Sequence, residues 1–152
     1  MSVDTRPIWW RAIEGDPPIE WQLAFEGLTS EDASDKWGLT AGIFVARVRR
    51  RTTHGPTFAE LFEALLPEDG PLHPAWPSGT SRNARDQTIR AFRLHVAIAW
   101  KRRGWIEWDP HVPRSLRVGR SFREHSRARR QSLRQHTASD VQIRSSVEEV
   151  PR

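Results

Sequence analysis

The chain has 152 residues, a formal net charge of +5 and 28% charged side chains, a size that supports one modest hydrophobic core. It contains no cysteine, which excludes disulfides, thiol nucleophiles and thiolate metal sites. No apolar run approaches the roughly 18 to 20 residues of a membrane span, and the first residues lack the basic start and apolar stretch of a signal peptide. We therefore expect a cytoplasmic protein without membrane contacts.

The positive charge is concentrated in one half of the chain. Residues 1–76 carry 7 basic and 12 acidic side chains, whereas residues 77–152 carry 17 basic and 7 acidic ones. Within residues 82–134 the counts are 15 and 4, a density that favours a polyanionic partner, because neutralised phosphates release condensed counterions. Nucleic acid is the leading partner class, and a solvated charged face without a ligand is the alternative.

Residues 1–38 are acidic and rich in tryptophan, and we expect them to form an extension that packs on the core. Within them, residues 19–28 are predicted to form a short helix, because Trp21, Phe25 and Leu28 recur at helical spacing. This stripe is more typical of core packing than of a ligand cage. The extension is also the candidate surface for a protein partner.

Two further helices are predicted before residue 67. A helix over residues 41–51 ends on a run of arginines, which suits the helix dipole. The spacing of Thr57 and Glu60 then predicts a capping box at the start of the next helix, which Pro67 ends. Its core stripe consists of Phe58, Leu61, Phe62, Leu65 and Leu66. Residues 67–79 contain four prolines and are predicted to form a loop.

A long helix is predicted over residues 82–103, with Ser78, Thr80 or Ser81 as its cap. Its arginines lie mostly off the apolar face, where like charges repel unless something negative lies alongside. The apolar face consists of Ile89, Phe92, Val96, Ala99 and Trp100. Strands over residues 105–108 and 115–118 then predict a hairpin. Residues 123–152 are expected to form a basic helix and a flexible polar tail.

Helix, capped helix, long basic helix and hairpin follow one another in the order of a winged helix-turn-helix. Three segments, 51–61 (RTTHGPTFAEL), 103–106 (RGWI) and 114–118 (RSLRV), resemble the amino-terminal DNA-binding domain of LexA-type repressors. The resemblance covers about residues 39–120. It implies a mainly α-helical fold with a small hairpin, with a winged-helix DNA-binding domain over residues 39–122. The predicted loop before the long helix is longer than the family's short turn.

The resemblance also implies a function. We expect a sequence-specific double-stranded DNA-binding protein, a transcriptional regulator of a bacterium, phage or mobile element, which is associated with the nucleoid and could act as a homodimer. Arginine can bond guanine, asparagine and glutamine can read adenine, and the capped helix and the hairpin can hold phosphates. The expected DNA-binding residues are Thr57, Arg82, Asn83, Arg85, Gln87, Arg90, Arg93, Arg114, Arg117 and Arg120.

Three alternatives remain open. Residues 30–51 have the pattern of a separate helix-turn-helix centred on Gly38, which would move the DNA contacts to Arg47, Arg49, Arg50 and Arg51. The protein could instead be a replication-initiation or recombination accessory protein, or a winged-helix adaptor that binds other proteins. The six histidines lack close metal-ligand spacing, and no phosphate loop or nucleophile motif occurs, so we expect no enzyme activity, metal or cofactor.

Overall fold

The computed structural model describes residues 3–66 and 76–148. A short 3-10 turn, Ile8–Trp10, precedes the first helix, and a two-stranded hairpin separates the fourth helix from the fifth. The five α-helices of the described residues are α1 (Ile19–Thr29), α2 (Glu31–Thr52), α3 (Phe58–Leu65), α4 (Arg82–Arg102) and α5 (Arg120–Glu148). The strands are β1 (Ile106–Glu107) and β2 (Arg117–Val118). The protein is therefore mainly helical with a small antiparallel hairpin.

Three of the helices begin at a side-chain cap, and two of these caps, those of α3 and α4, were predicted from the sequence. Ser30 Oγ accepts from the Ala33 amide at the start of α2, and Ser81 Oγ caps α4 in the same way. Thr57 Oγ accepts from the Glu60 amide at 3.1 Å, which confirms the predicted start of α3, whereas the Glu60 carboxylate pairs with Arg114 and does not complete the predicted capping box. A hydroxyl cap satisfies one of the amides that a helix leaves unpaired at its first turn.

The second helix is longer than its sequence suggests. It runs without interruption from Glu31 through Gly38 to Thr52, so the separate helix-turn-helix over residues 30–51 is wrong. A Cβ atom at Gly38 would lie 2.5 Å from Cδ1 of Trp105. This glycine therefore permits close packing of the hairpin's entry on α2 and forms no turn. The boundary expected after residue 38 falls inside this helix.

An aromatic cluster joins the amino-terminal segment to α4. Trp9 packs edge-on against Phe92 at 5.2 Å and stacks on Phe25 at the same centroid distance. Trp10 and Trp21 contact one another at 5.3 Å, and both are almost fully buried. Burial of such large rings supplies much of the driving force for packing. The tryptophans of the extension are therefore part of the main core.

A second part of the core lies between α3 and α4. Phe62 and Trp100 stack with ring centroids 5.4 Å apart, and both are fully buried. The Trp100 indole N–H donates to the Leu28 carbonyl at 2.8 Å, which ties the end of α1 to α4. Because one indole fills the core and bonds a neighbouring helix, α4 is held along its carboxyl-terminal half, while its first turns extend beyond this contact.

The hairpin is shorter than predicted and is folded back onto α3. Ile106 pairs with Val118 and Glu107 with Arg117, so each strand has two residues in place of four. The Gly55 amide donates to the Arg114 carbonyl at 3.0 Å. These contacts place the hairpin loop beside the start of α3.

The last helix begins three residues before the expected tail. Arg120, expected on the hairpin, is the first residue of α5, because only Gly119 separates β2 from this helix. The boundary expected after residue 122 therefore lies inside α5. Residues 67–75 of the predicted proline-rich loop lie outside the described residues. Among the described helices, none is both long and apolar enough to cross a bilayer.

Candidate nucleic-acid interface

The amino-terminal half of α4 presents one exposed polar face. Arg82, Asn83, Gln87 and Arg90 are all exposed, and at 3.6 residues per turn they share an arc of about 140°. None of their side chains forms a hydrogen bond or ion pair with another described residue. Their donors and acceptors are therefore available to a ligand.

Asp86 lies in the middle of the same face, and sequence analysis missed it. It is exposed and is four residues from both Arg82 and Arg90, so it shares their side of the helix. Its helical spacing from Arg82 and Arg90 was the signal that could have found it, but only arginines and amides were considered as contacts. A carboxylate here moderates the repulsion between the two arginines and can accept from a cytosine amino group.

Two other predicted contacts on α4 face protein rings. The Arg85 guanidinium lies 5.8 Å from the ring centroid of Trp76, and the Arg93 guanidinium lies 5.8 Å from that of Phe62. Cation–π contacts of this kind contribute about 0.5–1 kcal/mol at exposed sites. Arg93 is also half-buried. The structure thus divides the predicted α4 residues into an open group of four and a pair held against aromatic rings.

The arginines of the hairpin are engaged by carboxylates. Arg114 Nη2 lies 2.9 Å from Glu60 Oε1, and Arg117 Nη1 lies 3.2 Å from Asp109 Oδ2. Arg120, at the start of α5, pairs with Glu124 at 3.0 Å. Exposed ion pairs contribute only about 0–1 kcal/mol each, so a phosphate could replace these carboxylates at small cost. The hairpin does not present free cations as its sequence suggested.

The loop between the strands has an unusual backbone. His111 has a φ of 63° and Arg114 a φ of 54°, values that non-glycine residues rarely adopt. Arg49 Nε donates to the Leu116 carbonyl at 2.7 Å, and Asp109 exchanges two hydrogen bonds with Ser115. These bonds hold the loop in its bent conformation next to α2 and α3.

An apolar groove of about 560 Å³ lies between this loop and the start of α3. Phe58 and Trp108 form its walls and meet edge to face at 5.0 Å. Leu94, which is 40% exposed, faces the groove from α4 and lies one turn beyond Arg90. Thr57 also lines it; its oxygen accepts the capping bond, while its hydroxyl hydrogen can donate to an anion.

The carboxyl-terminal end of α4 is fixed by polar contacts to Asp35 of α2. Asp35 accepts from Arg103 Nε at 3.0 Å and Nη2 at 2.7 Å, and from the Trp105 indole at 2.9 Å. The bonds from Arg103 and then from Trp105 hold the pKa of Asp35 below its usual value. This residue therefore joins α2 to the turn between α4 and the hairpin.

His95 lies on α4 beyond the open face and is half-buried. Burial, followed by the positive charge of Arg102, lowers its pKa. Among the described residues, no group of three or more histidine, aspartate or glutamate side chains is arranged to hold a metal ion.

The amino-terminal segment offers a different kind of surface. Its buried tryptophans are unavailable to a partner, but Val3, Ile8, Ile19 and Leu23 are each at least 59% exposed. Ile19 and Leu23 are four residues apart on α1 and share one side of that helix. These aliphatic side chains are the apolar groups that this segment offers to a protein partner.

A comparison with known protein families, curated proteins and solved structures finds no match to the chain.

Proposed function

We propose that the protein binds double-stranded DNA in a sequence-dependent manner through the amino-terminal half of α4. The observation that carries this proposal is the open face formed by Arg82, Asn83, Gln87 and Arg90. It combines groups that can read guanine and adenine in the major groove with positive charge for the backbone. Neutral amides beside arginines distinguish such a surface from a merely solvated charged face.

The order of elements supports a winged helix-turn-helix arrangement. In that reading α2 is the first helix, α3 the second and α4 the recognition helix, while β1 and β2 form the wing. The Thr57 hydroxyl and the first amides of α3 would bind a phosphate beside the groove. Arg114 and Arg117 would exchange their carboxylates for phosphates, and Arg120 would do so from the start of α5.

The biological role that follows is regulation of transcription in a bacterium, phage or mobile element, at the nucleoid. A replication or recombination accessory role would use the same DNA-binding surface. Binding, and no catalytic step, is what the site's groups are suited to, because the arginines and amides supply donors without a nucleophile or a paired general base.

Selection of bound duplexes from a random pool tests this proposal. The full chain is expected to enrich a defined motif, and Asn83→Ala with Gln87→Ala is expected to relax or shift it, with a cost of about 1–3 kcal/mol for each lost base contact. Gln131→Ala with Gln135→Ala removes two exposed amides from α5 and is the matched control, which should leave the motif unchanged. Enrichment of no motif, or the same motif from both pairs of variants, would contradict the proposal.

A second candidate function is that of a protein-binding scaffold, favoured by the exposed Ile8, Ile19 and Leu23. If this surface forms a homodimer, Leu23→Asp should lower the mass measured by sedimentation equilibrium. A monomeric chain that nevertheless binds duplex DNA would remove support for this candidate.

A further inference from the structure

The helix α5 leaves the core after two turns. Over its 29 residues it is about 43 Å long. Phe122 packs against Gly42 of α2, where a Cβ atom would lie 2.4 Å from the Phe122 ring, and His125 meets the Trp105 ring edge to face at 6.0 Å. From residue 127 to residue 138 every side chain is exposed. This stretch therefore lacks the buried face that normally stabilises a helix.

The exposed part carries a regular stripe of arginines. Five of them follow one another at intervals of three and four residues, which at 100° per residue places them within an arc of about 80° and over a length of about 21 Å. The stripe consists of Arg120, Arg123, Arg127, Arg130 and Arg134. Phe122, Ser126 and Arg129 lie outside this arc and line a groove against α2, with Arg129 on the far side of α5.

The stripe is only partly neutralised. Arg120 pairs with Glu124 and Arg123 with Glu107 at 3.3 Å, whereas Arg127, Arg130 and Arg134 make no ion pair with another described residue. Like charges three and four residues apart destabilise an isolated helix. A helix with neither a packed face nor neutralised charges gains stability from an external polyanion.

The stripe is also continuous with the hairpin. The Glu107 carboxylate lies 3.3 Å from Arg123 and 3.8 Å from Arg117, so one carboxylate joins the second strand to the beginning of the stripe. Arginine, unlike lysine, presents a planar fork that binds phosphate through two parallel bonds. Each strand of duplex DNA carries one charge per about 3.4 Å of the helix axis, so a stripe of this length spans about 6 phosphates of one strand.

We propose that this stripe is a second nucleic-acid contact, which follows the sugar–phosphate backbone of the duplex held by α4. It adds affinity and salt dependence through charge-assisted bonds to phosphates. The inference rests on the proposed DNA-binding function, but it concerns a surface separate from the open face of α4.

The test compares two charge-matched variants of the full chain on a labelled duplex of about three helical turns. Arg127→Gln with Arg130→Gln removes two members of the stripe, and Lys36→Gln with Arg129→Gln removes the same charge from α2 and from the far side of α5. Affinity is measured between about 50 and 200 mM salt. Each lost phosphate contact lowers the salt slope by about 0.9. The factor by which affinity falls over this salt range should therefore be roughly ten times smaller for the stripe variant than for the wild type.

The control variant should keep the wild-type slope, and circular dichroism should show both variants to be equally helical. Equal slopes for the two variants, or a stripe variant indistinguishable from wild type, would overturn the inference while leaving DNA binding intact. Absence of duplex binding by the wild-type chain would instead remove the proposed function and this inference together. Equally tight, stripe-dependent binding to polyglutamate would also overturn it, because the surface would then be a general anion binder.

Discussion

At the residue scale, the side chains that matter most are those that fix the direction of α4. Asp35 holds Arg103 and the Trp105 indole from α2, and Gly38 lets the Trp105 ring approach the same helix. Neither role is visible in the sequence, because both depend on residues about 70 positions away. Thr57, in contrast, was predictable, since its capping bond is made within four residues.

Replacement of Gly38 by alanine is expected to destabilise the fold by about 1–3 kcal/mol, because the added methyl group would overlap the Trp105 side chain. Gly27→Ala is the matched control. Nothing lies within 4 Å of a Cβ atom there, and alanine should stabilise α1 by roughly 0.5–1 kcal/mol. Denaturant unfolding measures both changes, and a loss of stability for both would contradict this view of Gly38.

Asp35 should make the stability of the protein depend on pH in the acid range. Its pKa is lower in the folded chain than the value of about 3.9 in an unfolded one, so its contribution is complete above that value and is lost as the pH falls through the lower, folded pKa. We expect Asp35→Asn to be less stable than wild type at pH 7, with the difference closing below about pH 4. A difference that stays constant down to pH 2 would contradict the account.

At the element scale, helices with local signals were predictable and the orientations of their polar side chains were not. The helices α1 and α4 lie within a residue of their predicted ends. The first half of α2 was missed because Gly38 is a turn signal in isolation. The predicted DNA contacts of α4 form two groups, one open to solvent and one held against aromatic rings. The second group arises because Trp76 and Phe62 approach α4 from other parts of the chain.

The ion pair between α3 and the hairpin loop offers a test of the hairpin's role. Glu60 holds Arg114 at 2.9 Å, so Glu60→Gln should release this arginine and raise affinity for duplex DNA by up to about fivefold, the equivalent of an exposed ion pair. Glu63→Gln, on the same helix, removes the same charge from an exposed site and is the control. Fluorescence anisotropy at low salt measures both. Equal gains for the two variants would show that net charge alone is responsible.

At the scale of the whole molecule, one connected core extends from Trp9 to Leu116. The acidic amino-terminal residues contribute their tryptophans to this core, so the two differently charged halves of the sequence share one packed body. We therefore expect a single unfolding transition, with tryptophan fluorescence and far-ultraviolet circular dichroism giving the same midpoint. Two separated transitions would show that the amino-terminal segment unfolds on its own.

The uneven distribution of charge along the chain accounts for what could be inferred about function. An excess of 11 positive charges over residues 82–134 indicated a polyanion, and the structure separates that excess into paired cations on the hairpin, an open face on α4 and a stripe on α5. The sequence could not show the pairing of Glu60 with Arg114, because these two residues are far apart in the chain.

The open face of α4 is the central claim, and the affinity of charge-matched variants for duplex DNA tests it most directly. We expect Arg82→Ala with Arg90→Ala to weaken binding at least tenfold at low salt and to reduce the salt slope by about 2, while Lys36→Ala with Arg51→Ala binds almost as the wild type does. A wild-type chain whose affinity is independent of salt, or an α4 variant that binds as tightly as this control, would contradict the account.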